Sequence, residues 1–230
     1  FPKVIGGINQ ISTDKAYELY SKFGNMKKVT DARTAELVKV SEGLYRDVNI
    51  ALANEILKVC DNYCVNFWEM REAASHQFCN IHEPGSVGGH CIPVYPWFII
   101  NNMEVPLIKK ARLLNDEMIK YYADKVDKIT KGKGKVGVIG ITYREGVKEL
   151  AYTRSIPFMN ELKNRTYEVY AFDILMNKKE IEELNINYLE QKKFDEMDAI
   201  VLLNREKSMV ENLKQFKEKL IDVKNTLNLL

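Results

Sequence analysis

The chain has 230 residues, room for one large or two modest domains, with 46% hydrophobic and 29% charged residues, the balance of a soluble protein with a packed core. Its 34 basic and 32 acidic side chains leave a formal charge of +2 and are interleaved, which gives no electrostatic footprint for nucleic acid. No apolar run approaches the ~20 residues a membrane helix needs, no secretory leader pattern opens the chain, and four cysteines make no disulfide scaffold, so reduced thiols and a cytoplasmic setting are expected.

Taken in chain order, Phe1 to Gly7 reads as a strand closed by a glycine turn. A short amphipathic helix is predicted from Thr13 to Phe23, capped by Ser12 or Thr13. From Thr34 to Tyr63 there is no proline, and only Gly43 interrupts the helical propensity. Leu37, Leu44, Val48, Ala51 and Val59 fall on one side of that run, which predicts one long helix joining two α/β units. Its apolar stripe suits either an internal core or a second copy of the chain. Residues 66–79 suggest a further helix, and helical patterning resumes from Val105 to Ile129. Lys131 to Lys135, alternating with glycine, reads as a linker or turn. Beyond it come a strand over Val136 to Ile141, a helix over Ser155 to Lys163, and strands over Tyr167 to Phe172 and Ala199 to Leu203. Strands alternating with helices predict an α/β fold with a Rossmann-like parallel sheet covered on both faces.

The most chemically loaded stretch is Pro84-Gly85-Ser86-Val87-Gly88-Gly89-His90-Cys91-Ile92-Pro93-Val94. Three glycines within five positions allow positive φ and close approach of backbone to a ligand. Cys91 is then expected on the floor of a pocket, with His90 or Lys39 supplying the positive charge that favours a thiolate. The same pattern also fits a tight turn ahead of a buried structural cysteine. Cys60 and Cys64 lie four apart on the long helix, with His76, Cys79, His82 and His90 downstream. Their spacing matches no common zinc pattern, so no metal is assigned and buried reduced thiols are expected. Trp68, Trp97 and Phe98 are expected as core or interface aromatics. Gly137 and Gly140 form a G-x-x-G that is a poor dinucleotide fingerprint by itself.

Three ordered blocks carry a resemblance: Thr34-Ala35-Glu36-Leu37-Val38-Lys39 with Tyr45 to Glu55, the loop from Pro84 to Val94, and Gly137-Val138-Ile139-Gly140-Ile141-Thr142-Tyr143-Arg144. Together the chain resembles the nucleotide-sugar (UDP-glucose/GDP-mannose) dehydrogenases, nearest the UDP-N-acetyl-hexosamine branch typified by the UDP-N-acetyl-D-mannosamine enzymes. The resemblance implies three parts: residues 1–30 as the tail of an NAD-binding domain, 31–130 as a helical dimerisation and catalytic-loop domain, and 131–230 as a Rossmann-like UDP-binding domain. It also implies a two-step, NAD-dependent oxidation of a sugar alcohol to the uronate. Cys91 would carry the thiohemiacetal and thioester, and Lys39 would donate to the oxyanion. Substrate contacts are expected from Arg46, Asp47, Gly85, Val87, Gly88, Gly89, Arg144 and Arg154, although an ion pair within the helix or at an interface suits Arg46 and Asp47 equally. NAD would be held mainly by a fingerprint domain ahead of Phe1, which leaves no cofactor-binding residue in this chain and makes it a fragment inactive alone. A homodimer through the long helix and a role in surface-polysaccharide precursor synthesis complete the expectation.

Two positions depart from the family pattern. Gly43 stands four residues after Lys39, where the family has Asn, and Tyr95 stands four after Cys91, where it has Asp. Asn49, Asn54, Asp47 and Tyr95 are candidates to replace the lost groups. A non-catalytic nucleotide-sugar-binding or dimerisation module is therefore the alternative, with a cysteine-based transferase a third reading.

Overall fold

The computed structural model describes residues 2–228. Phe1, read as the opening of the first strand, lies outside them, as do residues 229–230. Strand β1 (Lys3–Ile5) pairs in parallel with β2 (Met26–Lys28), and helix α1 (Gln10–Tyr20) connects them. The cap of α1 is Asn9 and not Ser12 or Thr13: the Asn9 side chain accepts from the Ser12 N–H at 2.9 Å, and Ser12 closes the reciprocal bond. Ser12 is thus the fourth residue of a capping box that begins three residues earlier at Asn9.

Helix α2 (Ala32–Asn62) starts at Asp31, whose carboxylate accepts from Thr34 N–H at 2.8 Å. Helix α3 (Phe67–Ala73) ends sooner than residues 66–79 suggested, because Asn66 caps its start and His76 pairs with Cys79 in a small bridge beyond its end. A short α4 (Tyr95–Ile100) follows the glycine loop, and α5 (Pro106–Thr130) enters on a proline and leaves through Lys131 at φ 59. Proline fits the first turn because its missing N–H has no helical acceptor there.

The second half is a five-stranded parallel sheet in the order β5-β4-β3-β6-β7, built from β3 (Lys135–Ile139), β4 (Glu168–Phe172), β5 (Asn187–Tyr188), β6 (Ala199–Leu202) and β7 (Leu220–Asp222). Helices α6 (Ser155–Asn164) and α7 (Lys178–Glu182) lie between strands. Strands are added outward from β3 first through β4 to β5 and then on the other side through β6 to β7, so the order reverses between β3 and β6, the switch point of a doubly wound fold. Alternate residues of each central strand enter opposite cores. Val136, Val138, Ala199 and Val201 face one shared with Ala53, Leu57, Met118 and Tyr122 of α2 and α5. Ile139, Ile200 and Leu202 face the other, with Phe172, Leu189 and Phe194. Burial on both sides is why these strands read as continuous apolar runs.

The expected stripe on α2 is displaced. Its buried face carries Gly43, Asp47, Ala51, Asn54 and Leu57, whereas Leu37 and Val59 are exposed and Leu44 and Val48 lie at the margin. Two of the buried positions are polar, so apolar periodicity could not point to them. Among the described residues no helix is long and apolar enough to cross a membrane.

Candidate functional site

The polar residues inside α2 and α5 form one chain of hydrogen bonds. Asp47 accepts from Arg112, both fully buried, and from Asn115 Nδ2 at 2.8 Å. Arg112 also reaches Asp116 at 3.2 Å, and Asp116 holds Arg154 at 3.1 Å. Burial pushes the Asp47 carboxyl up, opposed by the Arg112 charge. Asn54 extends the chain to the glycine loop. Its Nδ2 donates to Asn115 Oδ1 at 2.9 Å and to Gly85 C=O at 3.1 Å, and its Oδ1 accepts Gly85 N–H at 2.7 Å. Both polar backbone atoms of Gly85, which sits at φ 137, are therefore held by one buried amide. Asp47 is corrected here from a substrate contact to a buried structural partner of Arg112.

The loop closes over the carboxyl ends of the parallel strands. Between them lies a cavity of about 260 Å³, lined on the loop side by Gly85, Val87, Gly88 and Ile92. Its other wall comes from residues just beyond β3, β6 and β7: Gly140, Thr142 and Arg144, then Asn204, then Lys224. Arg154, at the cap of α6, completes it. Three cations thus converge on one cavity at the switch point. Glu83, the acid in the lining, is engaged by Arg205 at 2.5 Å. Burial pushes the Arg154 guanidinium and the Lys224 ammonium down, each opposed by an acid, Asp116 and Glu83 respectively. Lys224 Nζ donates to Pro84 C=O at 2.8 Å, which ties the strand end to the loop.

Gly89 does not line the cavity. At φ 93, its missing Cβ would lie 2.5 Å from the Tyr143 ring, and its N–H donates to Tyr152 C=O at 3.0 Å, so close approach here is to the sheet half of the chain itself. Cys91 is exposed beside the cavity-lining Ile92, which corrects the expected place on a pocket floor. His90 is turned to Glu149, 2.7 Å away, and Lys39 to Glu42 at 3.4 Å, both in the open. Arg46 is exposed on α2, outside the cavity lining. Asn49 is spent on the Tyr45 carbonyl at 2.7 Å, Asn54 on Gly85, and Asp47 on Arg112. The Tyr95 ring packs over Gly43, where a Cβ would lie 2.5 Å from its edge. Cys60 is buried, its thiol pushed up by burial, while Cys64 is exposed past the end of α2, so the i,i+4 thiols share no open site.

Residues 33–122 match the model of the UDP-glucose/GDP-mannose dehydrogenase family, central domain, and residues 137–228 match that family's UDP binding domain. The chain belongs to the UDP-glucose/GDP-mannose dehydrogenase family. It is 40% identical to a UDP-N-acetyl-D-mannosamine dehydrogenase of Methanococcus aeolicus, over 98% of this chain and 55% of the relative. A Campylobacter jejuni protein of the same description is 32% identical, over 91% of this chain and 54% of its own length. A solved structure of the UDP-N-acetyl-mannosamine dehydrogenase of S. aureus superposes with a TM-score of 0.82 at 31% identity, covering 99% of this chain and 56% of the other. This member of the family therefore spans about half the length of the curated relatives it matches. Sequence reasoning missed Lys224, Asn204 and the Asn54 clamp. Lys224 follows a strand of three residues, too short for a periodic signal.

Proposed function

We propose that this chain carries the UDP-sugar-binding and thiol-bearing part of a nucleotide-sugar 6-dehydrogenase, acting on a UDP-N-acetyl-hexosamine such as UDP-N-acetyl-D-mannosamine. The observation that supports it is the cavity at the switch point, where Arg144, Arg154 and Lys224 converge under the loop that carries Cys91. Guanidinium groups pair bidentately with diphosphate oxygens, and Lys224 offers a point charge to the same group. A sugar attached to that diphosphate extends past Gly88 and Ile92 toward Cys91. There the thiolate is the nucleophile for an aldehyde carbon, and Lys39, released from Glu42, is the cation for the oxygen that becomes charged. A nicotinamide cofactor supplies hydride acceptance to this class of oxidation. The residues following β3, Gly140-Ile141-Thr142-Tyr143-Arg144, lack the glycine spacing that cradles a dinucleotide, so no hydride step is assigned to them. The exposed Leu52 and Val59 of α2, with Tyr45 and Tyr63, form the face that would pair with a second copy of the chain.

Calorimetry with UDP, a UDP-N-acetyl-hexosamine and NAD tests this reading. Binding of the first two is expected, with a loss of about 1.5–3 kcal/mol in Arg144→Ala or Lys224→Ala, the scale of a hydrogen bond to a charged group. UDP-sugar should also protect Cys91, and not Cys64, from alkylation. Affinity for NAD without affinity for UDP would refute the reading.

A further inference from the structure

Just beyond β3 the backbone is pinned from both neighbouring strands. Thr142 N–H donates to Asp173 Oδ2, past the end of β4, at 2.9 Å, and Thr142 C=O accepts from Asn204 Nδ2, past the end of β6, at 2.5 Å. Thr153 and Ser155 both turn their hydroxyls to the Ile141 carbonyl, at 3.1 and 2.5 Å. The Thr142 hydroxyl is different. Thr142 is 2% exposed and lines the cavity, yet its Oγ1 has no hydrogen-bond partner among the described residues. Burying a hydroxyl in that way is unfavourable unless a ligand completes it. Tyr122, the other such hydroxyl on the cavity, also borders a separate pocket against β7 and so does not mark this cavity alone. Asn204 supplies a second atom. Its bond to a carbonyl fixes Nδ2 as the donor and leaves Oδ1, which can only accept, without a protein donor among the described residues. Gly140, at φ 74, lets Asn204 come this close, since a Cβ there would lie 2.9 Å from Asn204 Cβ.

We propose that Thr142 and Asn204 read the ribose diol of the bound nucleotide, the Thr142 hydroxyl and Asn204 Oδ1 each accepting from one ribose hydroxyl. The proposal rests on the reading of the cavity as the UDP site. A hydroxyl beside an amide oxygen suits a ligand that donates, which a diol does and an ionised diphosphate does not. The diphosphate has its own partners in Arg144, Arg154 and Lys224. Ribose is one ester bond from that diphosphate, and Thr142 is two residues from Arg144 on the same wall. In a doubly wound sheet that holds a dinucleotide, the ribose is read by an acid that follows the second strand. Here that acid is Asp173, after β4, but it is 1% exposed and both its oxygens are spent, on the N–H groups of Thr142 and Leu175 at 2.9 Å each. Asp173 therefore fixes Thr142 and does not reach the ligand, and the reading passes to the Thr142 side chain and its neighbour. A site built to bond a hydroxyl rejects the analogue lacking it, because its own polar groups are then left unpaired.

The test is calorimetry of the 230-residue chain with UDP, 2′,3′-dideoxy-UDP and N3-methyl-UDP. The parent should bind UDP about tenfold or more tighter than the dideoxy analogue, the scale of two neutral hydrogen bonds. Thr142→Val, which keeps the shape and removes the hydroxyl, should weaken UDP about 3–10-fold and leave the dideoxy analogue unchanged. Thr142→Ser should bind UDP as the parent does. Because the hydroxyl has no protein partner, Thr142→Val should not lower Tm in the absence of nucleotide, whereas loss of a hydroxyl that holds the fold would. Equal affinity of the parent for UDP and its dideoxy analogue overturns the proposal, leaves the nucleotide site standing, and needs no variant to fold. A penalty for N3-methylation that vanishes in Thr142→Val would move the contact to the base and overturn the diol assignment. No affinity for UDP at all would end the nucleotide reading and this one together.

Discussion

Replacing Asn54 by Ala removes the buried amide that hydrogen-bonds the helical core to the glycine loop. Three hydrogen bonds go with it, to Gly85 N–H at 2.7 Å, Gly85 C=O at 3.1 Å and Asn115 Oδ1 at 2.9 Å. Each such bond contributes about 1 kcal/mol net, and a buried partner left without one costs about 1–3 kcal/mol. Asn54 is fully buried and Gly85 is also buried, so water cannot readily replace the amide. Partial relaxation of the loop recovers some of the loss, and a destabilisation of about 3–5 kcal/mol is expected. For a chain of this size that lowers Tm by roughly 6–20 °C. Urea unfolding measures it directly, with Asn49→Ala as control: that side chain also bonds a carbonyl, at 2.7 Å, but at the surface, and its loss should stay within about 0.5 kcal/mol. Because Gly85 lines the cavity, UDP affinity should fall in Asn54→Ala at temperatures where the fold persists. A loss below about 1 kcal/mol with unchanged UDP affinity would refute the clamp.

Lys224 is lowered by burial below its ordinary value of 10.5, and a bound diphosphate should raise it again, so UDP binding should take up a proton in the alkaline range below 10.5 and weaken as pH rises through it. Calorimetric enthalpies that do not vary with buffer ionisation heat there would contradict this. Glu206 is buried with an unpaired oxygen near Asp173, and burial holds its carboxyl above the usual 4.5. The folded state therefore binds this proton more tightly, and stability is lost as pH rises from about 4.5 through the raised value; Glu206→Gln should gain on the order of 1 kcal/mol at pH 7 and little at pH 4, as urea titration at both pH values would show. On α2, Leu52→Glu or Val59→Glu should yield a monomer in light scattering with an unchanged Tm. A charge at Ala51, 4% exposed within its own chain, should instead lower Tm; a monomer already present in the parent chain would end the dimer reading.

The alternation of apolar runs with helical periods was enough to read a parallel α/β sheet, because β6 and, from Val136 onward, β3 bury both faces and carry no polar side chain. The long helix was legible for a similar reason, as an unbroken stretch free of proline. The glycine loop and its cysteine also showed in the sequence, as did the kinship of the three blocks. The inward face of α2 did not, since Asp47 and Asn54 are buried only because Arg112 and Asn115, more than 60 residues later, supply their hydrogen bonds. Polar residues enter a core when their partners do, and those partners are set by the packing of α2 on α5. The same holds at the cavity. Arg144, Arg154 and Lys224 are scattered along the chain, and only the reversal of strand order between β3 and β6 gathers them under the loop. Gly43 and Tyr95 read singly as two losses. Folded, one is the space the other fills, because a helix packed at close distance turns the absence of a Cβ into a seat for a ring.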